Sequence, residues 1–278
     1  MPDRTARRVA LVTGGSRGIG EAVCARLARE GVGVLVAARG LERCEQVAAE
    51  LRAGGGAAWA LALDVAEPES IRAALEEARQ LIGPFGSIDW LVNNAGVADS
   101  APYDGDARET SVARHLDVNF HGARRLMEAL VPEMERRGYG RVVNVASSAG
   151  LRGYAYVSAY CAAKHALVGY SLALADELDG SGVHVNLVCP HYVDSPMLAE
   201  SVTRLTQKTR LDQKMAREFF RRANPGDELV TMDEVAGAVL HLLRGEENGL
   251  VLELDGSAER KERRPNAVTK EATDARSD

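Results

Sequence analysis

The chain has 278 residues, with 34 lysines and arginines against 40 aspartates and glutamates, and its formal net charge is −6. Hydrophobic residues make up 46% and charged residues 27%, which is typical of a folded globular protein and excludes a disordered chain. The acidic total, the 5% of aromatic residues and the lack of a long basic block argue against a nucleic-acid-binding protein.

No apolar stretch approaches the roughly 20 residues that a membrane-spanning helix needs, and residues 1–8 contain no apolar signal region. We therefore expect a soluble, cytoplasmic protein with no membrane partner. The six histidines are scattered, and the four cysteines lie far apart without metal-ligand spacing. We expect no metal site, and we expect reduced, buried thiols at Cys24, Cys44, Cys161 and Cys189.

Short apolar runs alternate with longer segments rich in Ala, Leu, Glu and Arg. The runs predict strands at residues 9–13, 33–37, 58–63, 88–93, 141–147, 184–189 and 250–254. In the segments between them, apolar residues recur at helical spacing, for example at 19–30, 41–53 and 71–81. This alternation predicts an α/β fold with right-handed βαβ units and a doubly wound parallel sheet, in a single domain.

Two segments depart from this rhythm. Residues 195–225 carry seven Lys and Arg against three Asp and Glu, and their apolar residues predict one or two short helices in a mobile cover. Residues 258–278 are highly charged and contain almost no apolar side chain larger than alanine. We expect this tail to be disordered and to lie outside the fold.

The first predicted strand runs into a glycine-rich turn at residues 13–20, and a predicted helix follows at once. Glycines at 14, 18 and 20 let a backbone turn sharply and approach a pyrophosphate, while the helix start offers N–H groups and a positive dipole end. A tight turn used only for packing is the alternative. The placement in the first βαβ unit favours a dinucleotide site.

The end of the second strand discriminates between cofactors. An NAD site places a carboxylate there to bind the ribose 2′-hydroxyl, whereas this strand ends in Ala38 and Arg39. Arg17 adds a second cation within the glycine loop. Two guanidinium groups would hold a 2′-phosphate, so we predict NADP(H). The alternative is that both arginines lie on solvated turns.

Tyr160 and Lys164 are four residues apart in a helical stretch, which puts both side chains on one face. A phenol has a pKa of about 10 and exchanges protons poorly at neutral pH. A nearby ammonium would lower that pKa towards the working range. Ser147, at the end of the fifth strand, could hydrogen-bond a carbonyl oxygen beside the tyrosine.

Together with the glycine loop, the Asn-Asn-Ala-Gly run at 93–96 and Asn119, these residues resemble the short-chain dehydrogenase/reductase family over residues 7–257. The resemblance implies a Rossmann-type sheet of about seven parallel strands and a homodimer or homotetramer. It implies that Tyr160 is the general acid/base and that Lys164 lowers its pKa and binds the nicotinamide ribose. It further implies that Ser147 polarises the carbonyl group and that Asn119 kinks its helix and holds a water for proton relay.

For the cofactor, the resemblance assigns contacts along the whole cleft. Asp64 would contact the adenine. The positions are Gly14, Ser16, Arg17, Gly18, Ile19, Gly20, Arg39, Asp64, Val65, Asn93, Ala95, Gly96, Tyr160, Lys164, Pro190, Val193 and Ser195.

Two predicted substrate residues need separate mention. Tyr156 lies one helical turn before Tyr160 and has no lysine four residues on, so we expect it to line the substrate pocket. His191 follows Pro190, where the family usually has glycine. Its imidazole would either narrow the pocket or bind substrate, or it is a tolerated turn residue.

The implied reaction is reduction of a ketone to a secondary alcohol by NADPH, with Tyr160 as proton donor. The cationic cover would attract a polyketide or β-keto thioester, or an acidic carrier protein; alternatively it is a solvated helix face. An NAD-linked secondary-alcohol dehydrogenase of the hydroxyacyl or hydroxybutyrate type is the main alternative, weakened by Ala38 and Arg39. A non-catalytic NADP(H) sensor would be expected to lack the tyrosine–lysine pair, and both residues are present here.

Overall fold

The computed structural model describes residues 8–83, 86–102, 108–257 and 261–263. Within them, eight strands form one sheet in the order β3-β2-β1-β4-β5-β6-β7-β8. All neighbouring pairs are parallel except β7 and β8. The strands are β1 (Val9–Thr13), β2 (Gly33–Ala38), β3 (Ala58–Ala62), β4 (Ile88–Asn93), β5 (Gly140–Val145), β6 (Val183–Pro190), β7 (Val251–Leu254) and β8 (Lys261–Arg263).

Helices cover both faces of this sheet, which confirms the predicted doubly wound α/β architecture. They are α1 (Gly18–Arg29), α2 (Leu41–Ala53), α3 (Pro68–Ile82), α4 (Arg108–Leu116), α5 (Gly122–Arg137), α6 (Ser158–Glu177), α7 (Pro196–Lys208), α8 (Gln213–Arg222) and α9 (Met232–Arg244). A π-helical turn (Asp117–His121) joins α4 to α5. Part of this helix geometry follows from local sequence, since Pro68 opens α3 at its first position and Thr231 and Glu234 form a capping box at α9.

The two faces of the sheet have separate hydrophobic cores. Leu11 of β1 packs into the core beneath α3, α5 and α6, whereas its neighbours Ala10 and Val12 pack beneath α1, α2 and α9. All five residues of β1 are buried. Because successive strand residues face opposite sides and both sides are covered, the sequence shows continuous apolar runs instead of alternation. All four cysteines are buried and free, as predicted.

Strand β8 corrects the prediction of a disordered tail at three residues. Lys261–Arg263 pairs antiparallel with β7. Its side chains are held by ion pairs, from Lys261 to Asp255 at 2.5 Å and from Arg263 to Glu253 at 2.6 Å. Charge pairing here replaces the apolar burial that the sequence lacks. The remainder of the predicted tail lies outside the described residues.

The predicted cover forms the two helices α7 and α8, which pack on a third, small cluster containing Leu198, Val202 and Ala216. Tyr192, just after β6, is packed against the same cluster. Among the helices of the described ranges, none has the length and apolar character needed to cross a membrane.

Candidate active site

The loop between β1 and α1 brings the backbone close to itself. Gly14 and Gly18 have positive φ angles of 64° and 61°, a region that favours glycine. A Cβ atom at Gly20 would lie 2.2 Å from the carbonyl oxygen of Gly14. No described side chain caps the start of α1, so the N–H groups of its first turn and its positive dipole end suit an anionic phosphate.

Strands β1 and β4 are neighbours where the strand order reverses, the position of the ligand crevice in doubly wound sheets. The hydroxyl of Thr13 accepts hydrogen bonds from the backbone N–H groups of Asn94 and Ala95, each at 3.0 Å. The Asn94 amide donates to the Thr13 carbonyl at 2.9 Å. Asn93, in contrast, is buried and donates to Asn144 at 2.8 Å, so its side chain points into the sheet. Thr13 and Asn94 belong to the predicted motifs at 13–20 and 93–96, where they had no role of their own, and their hydrogen bonds fix the crevice.

At the predicted adenosine end, Arg39 follows directly on β2 and is exposed. Arg17 reaches across to the cover, where its guanidinium pairs with Glu200 of α7 at 3.1 Å. Arg43, an arginine that the sequence reasoning missed, donates to the carbonyl of Ser16 at 3.2 Å and so supports the glycine loop. Ser16, in that loop, and Ile19, in the first turn of α1, are half-buried. Arg17 and Arg43 thus flank the glycine loop, and Arg39 follows the neighbouring strand β2.

The next predicted cofactor residues lie after β3. The Asp64 carboxylate accepts a hydrogen bond from the N–H of Ala66 at 3.0 Å, which fixes the turn. Val65 is buried and packs closely against α5. A Cβ atom added at Gly122 of α5 would lie only 2.7 Å from the Cβ of Val65. Asp64 remains half-exposed at the same edge of the sheet as the glycine loop.

Across the cleft, the segment after β6 closes the predicted cofactor site. Pro190 ends β6 opposite Leu254, and the buried Val193 forms an isolated bridge with Val230. The hydroxyl of Ser195 accepts a hydrogen bond from the N–H of Leu198 at 3.4 Å and caps α7. The glycine loop, the uncapped helix start and the nearby arginines fit a phosphorylated dinucleotide in this cleft.

Tyr160 and Lys164 lie on one face of α6, and the Lys164 Nζ is 5.8 Å from the centroid of the Tyr160 ring. Lys164 is buried, and its ammonium donates to the carbonyl of Val145 at the end of β5 at 2.8 Å. Ser147 follows two residues later, caps a short 3₁₀ turn and hydrogen-bonds to Tyr160. The structure therefore brings these three predicted residues together at the carboxyl edge of the sheet.

The electrostatics of this pair differ from the expectation that the lysine lowers the phenol pKa. Burial raises the pKa of Tyr160 to about 12, and the hydrogen bond with Ser147 offsets only part of that effect. Burial also lowers the pKa of Lys164 to about 8. The structure therefore gives a net rise in this pKa where a lowering was predicted, because burial of the phenol has the largest effect. At neutral pH, the phenol is protonated.

Asn119 lies in the π-helical turn and is buried. Its side-chain oxygen accepts from the N–H of Val97 at 2.9 Å, and its side-chain nitrogen donates to the Val97 carbonyl at 2.9 Å. A Cβ at Gly96 would lie 2.9 Å from the Asn119 oxygen and 3.9 Å from the Lys164 Nζ. The π-helical turn interrupts the regular α-helical geometry at Asn119, and the side chain holds the loop after β4 beside Lys164.

Comparison with known proteins settles the family. Residues 8–206 match the family model described as short chain dehydrogenase. The chain belongs to the short-chain dehydrogenase family. A putative ketoacyl reductase from Streptomyces coelicolor is 35% identical over 240 residues, which cover 84% of this chain and 89% of that protein. A cyclohexanol dehydrogenase from Acinetobacter is 36% identical over 200 residues, covering 72% and 78% of the two chains.

Among solved structures, a variant of actinorhodin polyketide ketoreductase with NADPH is 32% identical to this chain and superposes with a TM-score of 0.84. The match covers 92% of this chain and 98% of that one. The relatives of this short-chain dehydrogenase are named as reductases and dehydrogenases. The chain is accordingly an oxidoreductase of CH–OH and C=O groups.

His115 is a neighbour of Tyr160 that no sequence motif indicates. It is fully buried, and its ring contacts the Tyr160 ring edge-on at a centroid distance of 6.2 Å. Its Nε2 accepts the N–H of Asp99 at 3.1 Å, and its Nδ1 lies 2.7 Å from the carbonyl oxygen of Ser111. These partners require a neutral ring with the proton on Nδ1. His115 therefore joins α4, the loop after β4 and the Tyr160 ring.

The two predicted substrate residues have different environments. Tyr156 has a positive φ of 66° and is 70% exposed, at a cleft of about 500 Å³ between α4, the loop after β4 and the start of α6. The His191 side chain is only 1% exposed, and its Nε2 lies 2.8 Å from the Glu253 carboxylate on β7. An imidazole buried in this way does not itself offer a surface to a substrate. Direct contact is thus compatible with the position of Tyr156 and disfavoured for His191.

Several cations of the cover are neutralised within it. Arg217 pairs with Asp194 at 2.6 Å, and both Arg221 and Arg222 pair with Glu218, at 2.8 and 2.7 Å. Lys208, Arg210 and Lys214 are exposed, and no ion pair joins them to another described residue. Glu218 already counts among the three acidic residues of this segment, so of these pairs only the one with Asp194 lowers its excess of four positive charges. The cover therefore keeps most of its positive charge, with Lys208, Arg210 and Lys214 at the surface.

Proposed function

We propose that the chain is an NADPH-dependent ketoreductase that reduces a ketone to a secondary alcohol with Tyr160 as the proton donor. The observation that carries this proposal is the convergence of Tyr160, Ser147 and Lys164 beside the glycine loop crevice. The similarity to ketoacyl and polyketide ketoreductases supports a β-keto or polyketide-like substrate. A bound nicotinamide dinucleotide would supply the hydride for the carbonyl carbon.

The chain's own contribution is proton transfer and orientation. Ser147 and Tyr160 both direct hydroxyl groups to the position of the substrate oxygen and stabilise the negative charge that develops there. The Tyr160 O–H bond then breaks, its proton forms the new alcohol O–H bond, and the electron pair remains on the phenolate. With its pKa at about 12, the phenol holds this proton through the neutral range and releases it only to a stronger base such as an alkoxide.

Lys164 restores the phenol. Burial lowers the pKa of its ammonium to about 8, so Lys164 can release a proton near neutral pH, and it lies on the same face of α6 as Tyr160. Asn119, which holds the adjoining loop beside the ammonium, defines the other end of this path. The proposed order is therefore substrate, Tyr160, Lys164 and then solvent.

The pH profile of reduction tests the role of Lys164. Lys164 is protonated below pH 8 and neutral above it, so we expect kcat to be level from about pH 6 to 8 and then to fall about tenfold per pH unit. Lys164→Arg keeps its charge at every accessible pH. We expect this variant to be slower and to lack the alkaline decline. If Lys164→Arg shows an alkaline decline of kcat with the same midpoint, the decline belongs to a group other than Lys164.

Cofactor choice tests the two arginines. We expect Arg17→Ala with Arg39→Ala to lower kcat/KM for NADPH by about 10- to 100-fold and to leave NADH nearly unaffected, because only NADPH carries the 2′-phosphate. Arg79→Ala on α3, remote from the cleft, is the matched control. Initial rates at 340 nm with each cofactor give the ratio of kcat/KM for NADPH to kcat/KM for NADH. Faster turnover of the wild-type protein with NADH would contradict the assignment and favour the NAD-linked alcohol dehydrogenase.

The substrate class is tested with acetoacetyl thioesters, bicyclic ketones and aryl ketones, each with wild-type protein and NADPH. A preference for the thioesters would support the β-keto thioester assignment. The family resemblance further leads us to propose a homodimer or homotetramer, which light scattering measures directly.

A further inference from the structure

The loop after Ser147 carries a cation beside the proposed substrate carbonyl site. Arg152 is exposed, and its Nε donates to the hydroxyl of Tyr154 at 2.7 Å. The same hydroxyl lies 2.8 Å from the Oγ of the buried Ser148, the neighbour of Ser147. The Arg152 guanidinium also stacks over the Tyr154 ring, 4.8 Å from its centroid. Two short hydrogen bonds therefore connect this guanidinium to the start of the loop that carries Ser147.

A buried chain of polar groups supports Arg152 from behind. One terminal nitrogen of Arg152 lies 3.5 Å from the Nδ1 of His191. The Nε2 of His191 is directed to Glu253, whose other oxygen accepts from Arg263 at 2.6 Å. Because Nε2 of His191 donates its proton to the Glu253 carboxylate, Nδ1 carries no proton and presents a lone pair to Arg152. His191 thus orients the guanidinium without contacting a substrate.

The remaining face of Arg152 has no anionic partner among the described residues. Both of its protein contacts are to neutral groups, a phenol and an imidazole, and none of the ion pairs in the described ranges includes it. The guanidinium has five N–H donors, and these contacts occupy two of them. Three donors remain, two of them on the other terminal nitrogen, and they can bind a carboxylate. Charged residues placed beside a reaction site without an internal counter-ion suit an anionic ligand.

Both supports of Arg152 begin at the carboxyl edge of the sheet. Ser148 directly follows Ser147 after β5, and His191 directly follows Pro190 at the end of β6, the strand that pairs with β5. The guanidinium is therefore held between the loop after β5 and the segment after β6, both of which border the cleft.

We propose that Arg152 binds a carboxylate on the substrate, so that the substrate of the proposed ketoreductase is a short keto acid. This inference rests on the proposed ketoreductase activity and replaces the thioester substrate by a free keto acid at the same site. The two hydrogen bonds that link Arg152 through Tyr154 to Ser148, the neighbour of Ser147, favour an anion close to the substrate carbonyl.

The test uses linear keto acids with one to four carbons between the carboxylate and the ketone, each paired with its methyl ester. Wild type, Arg152→Gln, Arg152→Lys and the exposed-arginine control Arg72→Gln are compared, after thermal unfolding has shown that each is folded. We expect wild type to prefer at least one acid over its ester. Arg152→Gln should lower kcat/KM for that acid by about 10- to 100-fold and should change kcat/KM for the ester by less than about threefold. Arg152→Lys should retain part of the preference.

An equal loss for acid and ester in Arg152→Gln would overturn the proposal, since it would assign Arg152 a structural role. Equal turnover of every acid and its ester by wild type would overturn it as well. If wild type reduces none of these ketones, nor the neutral panel, the proposed function fails instead. In that case, calorimetry still tests the role of Arg152 by comparing the binding of 3-hydroxybutyrate with that of its methyl ester. Tighter binding of the acid that disappears in Arg152→Gln would support the proposal, and a preference that persists in this variant would overturn it.

Discussion

Replacing Tyr160 by phenylalanine is expected to lower kcat/KM for ketone reduction by about 10²- to 10⁴-fold, the usual contribution of a positioned general acid. The variant keeps the ring that contacts His115 and faces Lys164, and it removes only the transferable proton. Protein stability and NADPH affinity should therefore change little. Initial rates at 340 nm and an NADPH fluorescence titration measure the two properties separately.

Tyr170→Phe provides the matched control, because it makes the same change on the same helix at a residue whose hydroxyl contacts Glu128 at the surface. We expect its activity to stay within about twofold of the wild-type value. Full activity in Tyr160→Phe would remove the phenol from the mechanism. Loss of NADPH binding in that variant would instead indicate that the hydroxyl serves the cofactor site.

Gly20→Ala adds one methyl group, and we expect it to disrupt the cofactor crevice more than a methyl group added at any other position. The new Cβ would lie 2.2 Å from the Gly14 carbonyl oxygen and 2.5 Å from the side-chain nitrogen of Asn94, and the first of these contacts is to backbone. We expect a loss of about 1–3 kcal/mol or more in the free energy of unfolding. The loop must also move, so NADPH should bind at least about tenfold more weakly. Chemical denaturation and a fluorescence titration measure these effects.

Gly169→Ala is the control for this substitution. Gly169 lies within α6, and a Cβ there would meet no atom within 4 Å. Alanine is preferred to glycine in a helix, so we expect this variant to be more stable by about 0.5–1 kcal/mol and to bind NADPH normally. Similar behaviour of the two variants would show that the crevice tolerates a side chain at position 20.

The sequence was sufficient for the fold and for the placement of the main site. β1 and α2 have the predicted bounds, and the other parallel strands differ from prediction by two residues at most at either end. This accuracy has a physical cause, since strands covered on both faces must be continuously apolar and the helices between them must be amphipathic. Tyr160, Lys164 and Ser147 could be grouped because helical spacing and strand ends fix their relative positions.

The electrostatics could not be predicted in the same way. Whether an ammonium or burial controls the pKa of Tyr160 depends on how much surrounding protein excludes water, and no local pattern contains that information. His191 illustrates the same limit. Its partner Glu253 is 62 residues away in sequence, and only the sheet order brings β6 and β7 together.

Which charges are neighbours also depends on the fold at the cover and the glycine loop. Arg221 and Arg222 pair with Glu218 within one turn of α8, which helical spacing can predict, whereas the pair of Arg217 with Asp194 joins residues 23 apart in sequence. Arg17 of the glycine loop pairs with Glu200 of α7, 183 residues away. A net charge gives the sum of a segment's charges, whereas surface potential depends on which of them are neighbours.

The short strand β8 has a consequence for how copies of the chain can meet. A sheet that ended at β7 would present the unpaired backbone groups of a buried, largely apolar strand, a template for aggregation by strand addition. The Lys-Glu-Arg sequence of β8 covers those groups, and all three of its residues are exposed. A further chain adding to this side would have to desolvate charged side chains along a strand of only three residues. The ion pairs that hold β8 in place thereby also protect the protein from uncontrolled polymerisation.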